Sequence, residues 1–121
     1  MKFLWCTINV KDMEESIRFY EEVVGIKVTN RFSAGPAEIA FLGEGETKVE
    51  LIHDGSDKWK GNKTGISLGF EAESLDGMME LVKEKGIEIT GGPFQPGPDF
   101  RFFFIKDPNG VTIQFGEYIA K

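Results

Sequence analysis

Phe102-Phe103-Phe104-Ile105-Lys106-Asp107-Pro108-Asn109-Gly110-Val111-Thr112-Ile113-Gln114-Phe115 sets two apolar runs on either side of a four-residue turn. Pro108 presets φ for the second turn position, Asp107 can accept from the turn's backbone amides, and Gly110 tolerates the positive φ needed to re-enter a sheet. The stretch reads as a β-hairpin. In its second strand Val111, Ile113 and Phe115 share one face, while Thr112, Gln114 and Gly116 share the other. One face belongs to a core, and the other looks into something polar.

Working outward, the 121 residues make one domain with enough chain for a substantial core. No run reaches the roughly 18 apolar residues of a membrane span, and Met1-Lys2-Phe3-Leu4 does not open a signal peptide. A cytoplasmic protein is the expectation. A single cysteine, Cys6, excludes an intrachain disulfide or a Cys-rich zinc module, and a net charge of −6 repels nucleic-acid phosphate and anionic lipid. No nucleic-acid or membrane partner is expected. Fifteen glycines and eleven phenylalanines imply many tight turns and more aromatic surface than a small core needs.

Phe3 to Val10 alternates Leu4, Cys6, Ile8 and Val10 against Phe3, Trp5, Thr7 and Asn9, the period of a half-buried strand. Asp12 then precedes a helical pattern of Met13, Ile17, Tyr20, Val23 and Val24, with Glu14 and Glu15 in its first turn and Gly25 as terminator. Strands follow over 26–32, 37–42 and 47–53, separated by Ala34-Gly35-Pro36 and Gly43-Glu44-Gly45-Glu46. Asp54 to Thr64 is polar and without period, a linker or a loop folded over something. The pattern then begins again: a strand over 65–71, a helix over 75–85 opened near Ser74 and closed by Gly86, a short strand over 87–90, a Gly/Pro-rich loop over 91–98, and the hairpin.

The halves overlay, with Trp5 over Ser67, Gly25 over Gly86 and Glu50 over Gln114. A duplicated βαβββ unit accounts for this, with modules at about 1–54 and 65–121 and a linker at 55–64. Each sheet carries its helix on one face and must hide the other. The expected fold is α+β, with paired βαβββ modules forming a U-shaped, incompletely closed sheet and helices outside. Trp5, Thr7, Asn9, Glu50, Ile52, Ser67, Gly69, Thr112 and Gln114 then line the interior.

The run Val10-Lys11-Asp12-Met13-Glu14-Glu15-Ser16-Ile17-Arg18-Phe19-Tyr20, ending at Gly25, together with Asp107-Pro108-Asn109-Gly110 before a strand, resembles the vicinal oxygen chelate superfamily. That superfamily holds glyoxalase I, extradiol dioxygenases, fosfomycin-resistance enzymes and bleomycin-resistance proteins. The resemblance implies a U-shaped site, commonly in a homodimer, and metal ligands at positions occupied here by Trp5, Glu50, Ser67 and Gln114. Only Glu50 is a good ligand, for an indole offers no lone pair, Ser67 is a weak donor and Gln114 has only an amide oxygen. A catalytic ion wants about three strong donors, so no metal and no other cofactor is expected.

The leading expectation is a metal-independent protein that binds an aromatic or cationic small molecule; the alternative is a glyoxalase-like lyase or isomerase with Glu50 as base, or with an atypical metal site. Glu50 is a recognition group or general base, or a strand carboxylate paired with Lys48. Trp5 stacks on a ligand or fills the space of a lost metal, and Gln114 and Ser67 serve as wall hydrogen bonders. Thr7, Asn9 and Ile52 complete the wall, and Trp59 is a lid aromatic or dimer contact. Phe100, Phe102, Phe103 and Phe104 cannot all be core in one alternating strand, and Phe103 is assigned to the cavity. Cys6 reads as a buried structural thiol and His53 as a surface histidine.

Overall fold

The computed structural model describes residues 3–59, 61–62 and 66–119. In chain order it contains β1 (Trp5–Asn9), α1 (Met13–Phe19) running into a π-helical turn (Tyr20–Val24), β2 (Val28–Ala34), β3 (Ala37–Leu42) and β4 (Lys48–His53). After these come β5 (Ser67–Glu71), α2 (Leu75–Glu84), β6 (Gly91–Phe94), β7 (Phe100–Lys106) and β8 (Thr112–Tyr118). The fold is α+β, and the chain divides into two compact units, Met1–Asn62 and Lys63–Lys121. Each unit is a four-stranded mixed sheet, ordered β1-β4-β3-β2 in the first and β5-β8-β7-β6 in the second. In both, the first strand runs parallel to the last, an arrangement that needs an intervening crossover, and the remaining neighbours are antiparallel. The repeat extends to register: Trp5 lies opposite Lys48 as Ser67 lies opposite Thr112, and Thr7 opposite Glu50 as Gly69 lies opposite Gln114.

In the first unit Ile8, Leu42 and Leu51 of the sheet are buried, as are Met13, Ile17 and Tyr20 of the helical segment. Asp12 caps α1 by accepting from the Glu15 amide at 3.0 Å. The amides of Gly25 and Ile26 both reach the Tyr20 carbonyl, at 2.8 and 3.0 Å, which widens the last turn beyond the α-helix expected through Val24. Gly25, at φ 86°, ends it. Arg31 on β2 ties α1 to the sheet, donating to Glu14 at 2.5 Å and to Glu38 at 2.7 Å. These two carboxylates, Glu14 first, raise the guanidinium pKa further.

In the second unit Ser74 Oγ accepts from the Gly77 amide at 3.1 Å, and Glu117 of β8 accepts from the Leu75 amide at 2.6 Å, which pins the start of α2 to the sheet. The hairpin turn is built on Asp107, whose Oδ1 accepts from the amides of Asn109 and Val111, both at 2.8 Å, while Gly110 sits at φ 82°.

One expectation about the strands is corrected. No strand forms over 87–90; the fourth strand is Gly91–Phe94, inside the segment read as a Gly/Pro loop. Gly91 pairs with Phe104 and Phe94 with Phe102, and the register shift between them absorbs Gly92 and Pro93. An edge strand tolerates a proline that a central one would reject. The aromatic contacts of Phe94, to Phe102 at 5.5 Å and Phe104 at 6.4 Å, hold the segment to the sheet. Of the two readings of the polar segment after β4, a linker or a loop folded over something, the loop is the one that forms. Trp59 Nε1 donates to the Asn9 carbonyl at 3.0 Å, and the Asn62 carboxamide both donates to that carbonyl and accepts from the Asn9 amide, at 3.0 and 2.9 Å. Asn62 thus satisfies the end of β1 as a neighbouring strand would. Lys60 and residues 63–65 of that segment lie outside the described residues.

Candidate functional site

Alternation along the strands of the first unit turns Trp5, Thr7 and Asn9 of β1, and Lys48, Glu50 and Ile52 of β4, away from the helix. Cross-strand register adds Phe41 opposite Glu50, Ile39 opposite Ile52, and Phe32 opposite Ile39. The open face therefore carries an aromatic cluster beside the Glu50 carboxylate. Trp5 keeps 46% of its surface exposed and stands edge-on to Phe41, ring centroids 5.2 Å apart. Phe41 in turn stacks on Phe32 at 6.3 Å. Beside them runs an open groove of about 420 Å³, lined by Leu4, Trp5, Phe41 and Lys48 among others.

Glu50 is half-buried, and its partner is Thr7, whose hydroxyl donates to Oε1 at 2.5 Å. Lys48 does not neutralise it: its ammonium donates to the carbonyls of Gly43 and Gly45, at 3.2 and 3.0 Å. The hydroxyl fixes the orientation of the carboxylate, and among the described residues no cation pairs with it.

Asn9, Ile52 and Trp59 meet at the end of β1, where they line a small pocket of about 90 Å³ with His53 and Asp54. Lys11 Nζ lies 5.8 Å from the Trp59 ring centre, a cation–π contact. His53 Nδ1 accepts from the Gly55 amide at 3.1 Å, so that nitrogen is occupied within its own turn. Cys6 points to the helix side, where burial raises its thiol pKa.

In the second unit Ser67 is exposed on β5, and Gln114 lies between Gly69 of β5 and Phe104 of β7. Phe103 is not a wall residue. It is 0% exposed and packs on Phe115 at 5.5 Å, because its cross-strand partner already belongs to the core face. The open face carries Phe100, Phe102 and Phe104 instead, joined by Phe94 and Tyr118 in a continuous run of ring contacts between 4.9 and 6.4 Å. The hairpin could have disclosed this: a turn that closes on Lys106 and Thr112 sets Phe103 against Phe115 and Phe104 against Gln114. Phe41 was legible in the same way, through the turn between β3 and β4.

Residues 2–115 match the family model described as the Glyoxalase/Bleomycin resistance protein/Dioxygenase superfamily. The chain belongs to that superfamily. Among curated relatives, it is similar to the lactoylglutathione lyase of Escherichia coli O157:H7, with 32% identity over 97% of this chain and 93% of that protein. The lactoylglutathione lyase of Haemophilus influenzae is 29% identical over 97% and 93%. Among solved structures, Leishmania major glyoxalase I superposes with a TM-score of 0.81 at 24% identity, covering 95% of this chain and 85% of that one. TnmS3, an antibiotic binding protein from Streptomyces sp. CB03234, superposes with a TM-score of 0.79 at 19% identity, covering 98% and 97%. Both structural likenesses speak to the fold.

The sequence resemblance implies that the positions from which metal-using members of the superfamily draw ligands correspond to Trp5, Glu50, Ser67 and Gln114. Trp5 is engaged with Phe41 and offers no lone pair, and the Glu50 carboxylate already accepts from Thr7. Among the described residues no three His, Cys, Asp or Glu side chains converge on a point where an ion could be held. One carboxylate and one amide oxygen do not make the set of about three strong donors that a catalytic zinc or similar ion requires. These residues do not fit the superfamily's metal.

Proposed function

We propose that this chain is a small-molecule-binding member of the superfamily, independent of metal, that holds an aromatic or cationic compound on its open sheet faces. The observation that carries the reading is the half-exposed Trp5 indole set edge-on to Phe41 over an open groove, with the Glu50 carboxylate in the next row of the sheet. An indole and a phenyl ring offer apolar area and π faces to a planar guest, and a carboxylate with no cationic partner among the described residues favours a positively charged one. Thr7, Asn9, Ile52 and Trp59 extend that wall in the first unit; Ser67 and Gln114 offer hydrogen-bonding groups on the second unit's own open face.

A second reading is a glyoxalase-like lyase or isomerase with Glu50 as general base. The relatives named lactoylglutathione lyase favour it, as does the Thr7 hydroxyl, which aims the carboxylate.

Calorimetric titration with proflavine, a planar cation, separates the two. As a binder, the chain takes up proflavine without added metal, Trp5→Ala loses about 1–3 kcal/mol of affinity, and Glu50→Gln weakens it further. As an enzyme, it turns over lactoylglutathione, and Glu50→Gln abolishes turnover while leaving binding in place. Stoichiometric nickel, zinc, iron or manganese in chain purified without chelator, or a melting temperature raised by adding them, would overturn the metal-free reading.

A further inference from the structure

Gly69 sits in the middle of β5, where a glycine weakens a strand and needs a reason. Three ordinary reasons fail. Its φ lies outside the left-handed region, the register with β8 runs unbroken from Ser67 to Glu71, and a Cβ built on it meets no described atom within 4 Å. What remains is close approach by something from outside the strand.

The space above Gly69 has the form of a site. Its cross-strand neighbour is Gln114, and the next row brings a second glycine, Gly116. Phe100 lies over Gly116 so closely that a Cβ there would be 2.1 Å from the ring, so the phenyl fills the place of the missing side chain. Tyr118, 69% exposed, stands against Phe100 at 4.9 Å. Together with Gly69, Gln114 and Glu71 these residues line a pocket of about 230 Å³. That volume falls below the roughly 300–1,000 Å³ typical for drug-sized ligands and suits one or two fused rings.

The geometry points to a binding site for a planar heteroaromatic ring, neutral or cationic, lying over Gly69, stacked against Phe100 and Tyr118 and exchanging a hydrogen bond with Gln114. The bare backbone of Gly69 lets the ring approach to van der Waals contact, and Glu71 together with the net charge of −6 disfavours anions. The inference rests on the reading that the open sheet faces take up small molecules, but it concerns residues of the second unit alone.

The test is titration of isotopically labelled protein with quinoline, a planar heteroaromatic bicycle, followed by amide and side-chain NMR. Saturable shifts are expected at the Gly69 and Gly116 amides and at the Gln114 carboxamide protons. Gly69→Val projects two methyl groups into open space and should fold, yet weaken quinoline binding roughly tenfold or more. Tyr118→Ala, at an exposed position, should weaken it several-fold and keeps the test alive if the valine variant does not fold. Quinoline that leaves Gly69 and Gly116 unmoved up to its solubility limit, or binds Gly69→Val as well as the wild type, overturns the site. Shifts confined to Trp5 and Phe41 would sink this inference and leave the groove of the first unit standing. Shifts confined to Gly69, Gly116 and Gln114 would do the reverse.

Discussion

Asp107→Ala should be the most costly single change within the turn of the hairpin. Asp107 is buried, and one of its oxygens, Oδ1, accepts from two main-chain amides at 2.8 Å, those of Asn109 and Val111. Alanine leaves both donors without that acceptor. An unsatisfied buried amide costs about 1–3 kcal/mol; Asn109 is buried and belongs near the top of that range, while half-buried Val111 can recover water and belongs near the bottom. The sum is about 2–4 kcal/mol, which for a chain of this length lowers the melting temperature by roughly 10 °C. Asp107→Asn keeps a carbonyl oxygen where Oδ1 stands and should recover most of the loss. Thermal and urea unfolding of the three proteins, followed by circular dichroism, measures this. A loss below about 1 kcal/mol for alanine, or asparagine no better than alanine, would refute the assignment of the turn to that one oxygen.

Cys6 should react slowly with iodoacetamide at neutral pH and speed up only on unfolding, because burial raises its thiol pKa and thins the thiolate. The sign of the linkage follows: the folded chain holds this proton more tightly than the unfolded one. Its contribution is therefore intact below the ordinary thiol value and is lost as pH climbs through the raised one, so Cys6→Ser should flatten the alkaline limb of a stability–pH curve. A homodimer is expected from the apolar side chains left on the surface, Phe3, Leu4, Phe32, Ile66 and Phe94 among them. A stable interface needs roughly 1,000 Å² or more, and sedimentation equilibrium showing only monomer at high micromolar concentration would exclude it.

The hairpin was legible because its turn chemistry is local: Asp107, Pro108 and Gly110 determine the reversal whatever surrounds them. The helix starts at Asp12 and Ser74 were legible for the same reason, as cap residues act on amides three positions away. The strand at Gly91–Phe94 was not. Gly-Gly-Pro argues against a strand locally, and only ring packing of Phe94 on β7 overrides it. Phe103 was misplaced because a run of phenylalanines has no period of its own. Its face follows from the partner strand, where Phe115 is core.

By itself, then, the sequence determined the duplicated βαβββ order, the caps and turns, and the poverty of metal donors at Trp5, Ser67 and Gln114, since each depends on residue type or on neighbours a few positions away. Tertiary structure decided the rest of the site: that Glu50 pairs with Thr7 and not Lys48, that Phe41 backs Trp5, and that Phe100 covers Gly116 beside an open Gly69. Those relations join residues on different strands, tens of positions apart, and only sheet register brings them within a few ångströms of one another.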